Sequence, residues 1–189
     1  PDLVEEEMME EQNMYADMMA WDDVTGGVLS PTEVRRARLD ELKHIKEKNV
    51  WRVITRKEAQ QKGIKIIDTR WIDINKGDDD KPNYRSRLVA KEFNTSKEGG
   101  LFASTPPLEA LKCLISDAAT GNDDEEGKVM MINDVTRAFF EAPIQRTVCV
   151  ELPAEAKEEH EDDVVGLLTM SLYGTRGAAI NFQKEVRRF

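Results

Sequence analysis

Apolar positions along the chain fall into two rhythms, one helical and one strand-like. Leu39, Leu42 and Ile45 recur at helical spacing. Ser30-Pro31-Thr32-Glu33 stands just ahead of them. It supplies a Ser N-cap, a Pro at the first turn and a Glu three residues on, and it predicts a helix over 31–48. Trp51-Arg52-Val53-Ile54 reads as a short strand, and Thr55-Arg56-Lys57-Glu58 as a second capping box opening a short helix that ends near Gly63. Residues 64–74 are β-branched and strand-like, residues 76–83 are a polar turn, and Tyr84 to Lys91 is the returning strand. Residues 64–75 and 84–91 are therefore expected to pair as an antiparallel hairpin.

The second half continues the alternation. Thr105-Pro106-Pro107 opens a helix through about Thr120, with Leu108, Leu111, Leu114, Ile115 and Ala118 expected to face inward and Gly121 to stop it. Val129-Met130-Met131-Ile132 leads into Asp134 and reads as a buried strand ending in a carboxylate at the lip of a cleft. Residues 147–152 form a further strand closed by Pro153, and 155–163 an acidic loop. Val164 to Leu168, a turn at Tyr173-Gly174 and a helix from about Arg176 complete the pattern. No internal repeat and no Walker-type phosphate loop is present.

Charge divides the chain. Of its 189 residues, positions 1–30 carry nine acids and no Lys or Arg. Residues 31–97 carry 18 basic and 11 acidic residues, and residues 98–189 carry 9 and 17. The overall charge of −10 argues against a nucleic-acid binder, while the middle third permits one. The plain alternative is a solvated surface of mixed charge. Five of the eight methionines lie in residues 1–29, which read as an acidic leader, marginally helical or without structure, and poorly packed against the rest. Residues 30–189 form the domain. The leader reads as a linker from a preceding domain or as a tail without a role. Opening at Pro1 and closing at Phe189 just after a helix-like run, the chain reads as a fragment.

No apolar run reaches the ~20 residues of a membrane span, and no secretory signal is present. Cys113 and Cys149 sit in apolar surroundings, far apart, and read as buried free thiols of a reducing compartment. The expected location is intracellular, cytoplasmic or nuclear. His44 and His160 have no partner at metal-ligand spacing, which argues against a zinc site.

Three segments carry the chemistry. Tyr84-Arg85-Ser86-Arg87-Leu88-Val89-Ala90-Lys91-Glu92-Phe93 comes first. Asp134-Val135-Thr136-Arg137-Ala138-Phe139 follows, and then Leu172-Tyr173-Gly174-Thr175-Arg176-Gly177-Ala178. In this order they resemble the reverse transcriptase of copia-type retrotransposons, which reads roughly Y-K-A-R-L-V-A-K-G-F, D-V-K-T-A-F-L and L-Y-G-L-K-Q-A. Asn49-Val50-Trp51 and Thr69-Arg70-Trp71-Ile72 are similar to that family's N-T-W and K-W-V landmarks. The resemblance spans about residues 35–185.

It implies an α+β fold: the fingers and the first half of a palm, an antiparallel sheet with packed helices, cut short before the second catalytic hairpin. It implies RNA-directed DNA synthesis by two-metal nucleotidyl transfer, with Mg2+, deoxynucleoside triphosphates, an RNA template and a DNA primer. The remainder of a Pol polyprotein is the implied partner. Asp134 becomes the catalytic, metal-binding acid and Val135 a metal ligand through its carbonyl. Phe139 becomes the aromatic that blocks a 2′ hydroxyl, its alternative being core packing, with Phe140 as core. Arg85 and Arg87, two apart on a strand, share a face with Lys91 and would grip the triphosphate. A solvated strand with alternating charge is the alternative for that row. Arg176 follows Tyr173-Gly174 at the spacing of a further substrate contact.

Departures from the pattern are Arg85-Ser86-Arg87 for K-A-R, Glu92 for the Gly after V-A-K, and Thr175-Arg176-Gly177-Ala178-Ala179 for L-K-Q-A-P. Glu92 is expected to put a negative charge close to the phosphate path. No second pair of adjacent acids follows residue 164, so this chain alone is expected not to polymerise. The competing readings are a decayed, inactive copy of the element and a non-catalytic interaction module.

Overall fold

The computed structural model describes residues 19–78, 80–93, 106–120, 129–157 and 163–188. The fold is α+β, with antiparallel strand pairs, one mixed sheet and, among the described residues, five α-helices. A short hairpin of β1 (Ala20–Trp21) and β2 (Val28–Leu29) leads into α1 (Pro31–Glu47). Ser30 holds the N-cap place with Pro31 behind it, though the Ser side chain makes no capping bond. β3 (Trp51–Thr55) and α2 (Arg56–Gln61) follow, and here the cap forms: Thr55 Oγ1 accepts from the Glu58 amide at 3.2 Å.

A four-stranded sheet makes the centre, in the order β3, β8 (Val164–Leu168), β7 (Cys149–Glu151), β4 (Ile66–Ile67). All five residues of β8 are buried, which is why this strand reads as an unbroken apolar run rather than an alternation. Gly166 lies at its middle because a Cβ there would come within 2.9 Å of the Trp51 ring. Val150, Val165, Leu172, Phe140, Ile45 and Val50 are fully enclosed and form the core with the inner face of α1. Phe140 is core, as its place beside a second Phe suggests.

The expected hairpin forms between β5 (Thr69–Asn75) and β6 (Tyr84–Ala90), in antiparallel register from Thr69 opposite Ala90 to Asn75 opposite Tyr84. The long run 64–74 is broken at Asp68. Its first part, β4, pairs in parallel with β7 in the central sheet, and its second part, β5, leaves for the hairpin. On β6 the alternation is clean: Ser86, Leu88 and Ala90 are buried, Arg85 and Arg87 exposed.

Several segments differ from expectation. Residues 19–29 of the acidic leader are tied to the domain through backbone donors: Asp22 accepts from the Asn75 amide at 2.7 Å and Asp23 from the Asp73 amide at 2.9 Å. The amides of Asn75, Thr25 and Val24 together lower the Asp22 pKa to about 2. Met8, Met9, Met14 and Met18 lie outside the described residues. The helix α3 (Leu108–Ala119) forms, but Leu108, Leu111, Leu114 and Ile115 are exposed rather than inward. Residues 129–134 form no strand, and Val129, Met131 and Ile132 are exposed. Their β-branched composition favours a strand only where a ladder partner exists, and among the described residues none pairs with them. Cys149 is a buried free thiol, whereas Cys113 rides on α3 and is exposed. Part of the expected acidic loop forms α4 (Ala154–Lys157), 158–162 lie outside the described residues, and α5 (Ala178–Val186) closes the fold. Gly121 lies outside the described residues as well.

Candidate functional site

The second motif follows the exposed stretch 129–133 and runs into a 3-10 turn, Ala138–Glu141. Arg137, just before that turn, adopts φ 52°, a left-handed conformation uncommon for a side chain other than Gly. The turn buries Phe140 and folds the loop 134–137 back over α1 and β6. A cavity of about 630 Å3 results. Asp40 and Glu41 of α1, Arg85 and Arg87 of β6, Asp134, Val135 and Arg137 of the loop, and Tyr173 line it.

The cavity brings together four of the residues singled out from sequence: Arg85, Arg87, Asp134 and Val135. The two arginines reach it because their alternation on β6 turns them from the core. The Arg87 guanidinium lies 5.4 Å from the centre of the Tyr173 ring, a cation–π distance. Burial pushes the Tyr173 hydroxyl up in pKa; Arg87 acts against that, Glu41 adds to it and Arg137 opposes it. These charges therefore converge on one side chain.

Phe139 stands behind this wall. Its ring is 5.0 Å from that of Tyr173 and 6.4 Å from that of Phe182 on α5, so it belongs to an aromatic cluster that backs the cavity. Lys91 does not join the arginine row. It lies one residue past the end of β6 and pairs with Asp68 at 2.7 Å. Arg176 is also elsewhere: its backbone N–H donates to Glu92 Oε2 at 2.8 Å, and its side chain is not part of the cavity lining.

Glu92 does not confront the cavity as expected. Its side chain is 1% exposed and forms an ion pair with Arg146, whose Nη1 donates at 2.7 Å. Lys65 adds a longer contact at 3.4 Å. Burial alone would raise its pKa. The Arg146 guanidinium, the Arg176 amide and then Lys65 outweigh burial and bring it down to about 2. The acid that departs from the family pattern is thus neutralised locally, and it pins the turn that carries Tyr173.

Glu41 and Arg137 were not singled out from sequence. Glu41 had a readable signal: it lies between Val34, Leu42 and Ile45 on the apolar stripe of α1, where a lone charge demands a partner. Its partner is Arg137, whose Nε donates to Oε2 at 2.6 Å. A larger cavity, about 730 Å3, lies on the opposite face of β6 and includes Val34, Trp71, Leu88 and Leu152. It holds neither Arg85 nor Arg87, and of the landmark segments only Thr69-Arg70-Trp71 borders it. Its charges close on each other: Arg38 binds Asp73 at 2.7 Å and Glu155 at 3.0 Å, and the Trp71 indole donates to Glu155 at 3.2 Å. The smaller cavity is the one suited to a polar ligand.

Among the described residues no three His, Cys, Asp or Glu side chains stand close enough to hold a metal together. Among them, no helix is long and apolar enough to cross a membrane.

Guanidinium groups and a solvent-open carboxylate from two of the sequence motifs thus stand around one cavity. Residues 48–189 match the family model for reverse transcriptase (RNA-dependent DNA polymerase), which covers more than half of the chain. The chain belongs to that family. Searches of curated proteins and of solved structures return no match.

Proposed function

We propose that the chain is the fingers and the start of the palm of a copia-type retrotransposon reverse transcriptase, and that the cavity receives the incoming deoxynucleoside triphosphate. The observation that supports this is the meeting of Arg85 and Arg87 with Asp134 and Val135, from motifs almost 50 residues apart, around one cavity. Arg85 and Arg87 bind the phosphates through charge-assisted bonds. Phe139, backing Tyr173, sets how much room the sugar has. Residues 30–189 are the polymerase domain, and residues 1–29 lead into it. RNA template, DNA primer and the rest of a Pol polyprotein are its partners, in an intracellular compartment.

Asp134 and the Val135 carbonyl are hard oxygen donors, the kind that magnesium takes. Bound there, the metal supplies charge neutralisation at the phosphates and activation of the attacking hydroxyl. Asp134 is open to solvent and able to accept it. One side chain and one carbonyl make half of a two-metal site, so a second acidic segment completes it.

Lys91 and Arg176, paired at Asp68 and Glu92, support the turns beside the cavity in this reading. They contact substrate only if those turns move. The charge of Glu92 lends no weight to the decayed-copy reading, because Glu92 is paired with Arg146 and buried.

Titration of the chain with a deoxynucleoside triphosphate and magnesium tests the proposal. Saturable binding that weakens with salt and drops about tenfold or more in both Arg85→Ala and Arg87→Ala is expected. Binding that ignores both substitutions removes the cavity from the account.

A further inference from the structure

We infer that Arg137 is a third phosphate-binding residue of the cavity, held in position by the buried carboxylate of Glu41, with the triphosphate of the incoming nucleotide as its ligand. The inference rests on the nucleotide reading above and adds to it a residue pair that the family's pattern does not contain, since that pattern has Thr where this chain has Arg137.

The pair is built, not incidental. Glu41 is 2% exposed on the apolar stripe of α1, where an unpaired carboxylate is costly. Arg137 answers it at 2.6 Å from a backbone position at φ 52°. A turn alone favours Gly or Asn there, so an arginine in this conformation is a local strain of the kind that collects at functional sites. Only Nε is spent on Glu41, one of five donors in a rigid fork. The Arg137 side chain is 27% exposed, and the residue lines the same cavity as Arg85 and Arg87. Glu41 therefore fixes the plane of the fork and leaves donors for a ligand.

A second observation points to a ligand independently. Oε1 of Glu41 is buried and has no hydrogen-bond partner among the described residues. Buried carboxylate oxygens are normally satisfied, and this one is an acceptor waiting for a donor. A nucleotide brings donors in its sugar hydroxyl and base amino groups, while an inorganic polyphosphate at neutral pH brings almost none. The three arginines also share the cavity with Asp40, Glu41 and Asp134, so bulk charge does not draw a phosphate in. Recognition depends on where the guanidinium donors are held, which is what the Glu41–Arg137 pair determines.

The test is a binding titration of the chain with inorganic tripolyphosphate and with a deoxynucleoside triphosphate, each at two salt concentrations. Arg137→Ala is expected to weaken both ligands at least tenfold. Glu41→Gln is expected to weaken both several-fold in the folded protein, because the fork is no longer held by a charge, with the folded fraction checked by a melting curve. Arg137→Gly serves if the Ala variant does not fold, since Gly adopts the left-handed backbone without strain. Wild type binding neither ligand overturns the nucleotide reading and this inference together. Wild type binding both, weakened by Arg87→Ala but changed less than twofold by Arg137→Ala or Arg137→Gly, overturns this inference alone.

Discussion

Glu92→Gln removes one negative charge from a buried place while keeping the side-chain volume. In the native chain that carboxylate is 1% exposed and accepts from Arg146 Nη1 at 2.7 Å and from the Arg176 amide at 2.8 Å. Its pKa falls from the ordinary 4.5 to about 2. At about 1.4 kcal/mol per tenfold change in proton affinity, that drop corresponds to roughly 3 kcal/mol. Arg146 is 37% exposed and Lys65 65% exposed, so solvent screening lowers the figure. We expect a stability difference of about 2 kcal/mol between wild type and variant at pH 7. The sign follows from a depressed carboxylate: its contribution is complete above pH 4.5 and is lost as pH falls toward about 2. More than half of the difference should therefore be gone by about pH 3. Urea unfolding of both proteins from pH 7 down to pH 3 measures it. Other depressed carboxylates, Asp22 and Glu151 among them, weaken both proteins alike in acid, so only the difference between the two is read. A difference that stays constant across the pH range, or a variant as stable as wild type at pH 7, refutes the claim that Glu92 is held as a buried ion pair.

Three other outcomes are expected. Gly174→Ala should destabilise the chain by at least about 2 kcal/mol in the same unfolding assay, because Gly174 sits at φ 75° and a Cβ would meet the Ala90 carbonyl oxygen at 2.1 Å. In a reverse transcriptase chain that also supplies a second acidic segment, Phe139→Val should admit ribonucleotides in primer extension if the ring limits the sugar; an unchanged deoxy-to-ribo preference with a lower melting point would reduce Phe139 to packing against Tyr173 and Phe182. Phe140→Ala, at a position with 0% exposure, should cost about 3–5 kcal/mol without altering sugar preference, and a loss under about 1 kcal/mol would contradict its place in the core.

Local chemistry made much of this fold readable. Pro31 behind Ser30, the Thr55–Glu58 cap and the two β-rich runs around the 76–83 turn act within a few residues, and α1, α2 and the β5–β6 hairpin follow them closely. The site was readable where a motif lay on a regular strand: alternation on β6 puts Arg85 and Arg87 together at the cavity. What could not be read depends on partners distant in sequence. The stripe of α3 says which face is apolar but not whether anything covers it. Residues 129–134 have strand composition without a described ladder partner. Asp22 and Asp23 are ordered by amides of β5 some 50 residues away. Lys91 has the right spacing for the arginine row, yet β6 ends at Ala90 and Asp68 captures its ammonium. The charges at Glu41 and Glu92 look like liabilities until Arg137 and Arg146 are seen beside them.

Asp134→Asn, measured by primer extension in a reverse transcriptase chain that also supplies a second acidic segment, tests the central claim most directly. The substitution keeps the volume of a solvent-exposed side chain, so the fold should be nearly unchanged, while the charge needed to hold magnesium is removed. The account predicts that nucleotide addition is abolished with the melting temperature preserved. Extension within tenfold of wild type would contradict it, and Asp134 would then be only the acid at the edge of the cavity.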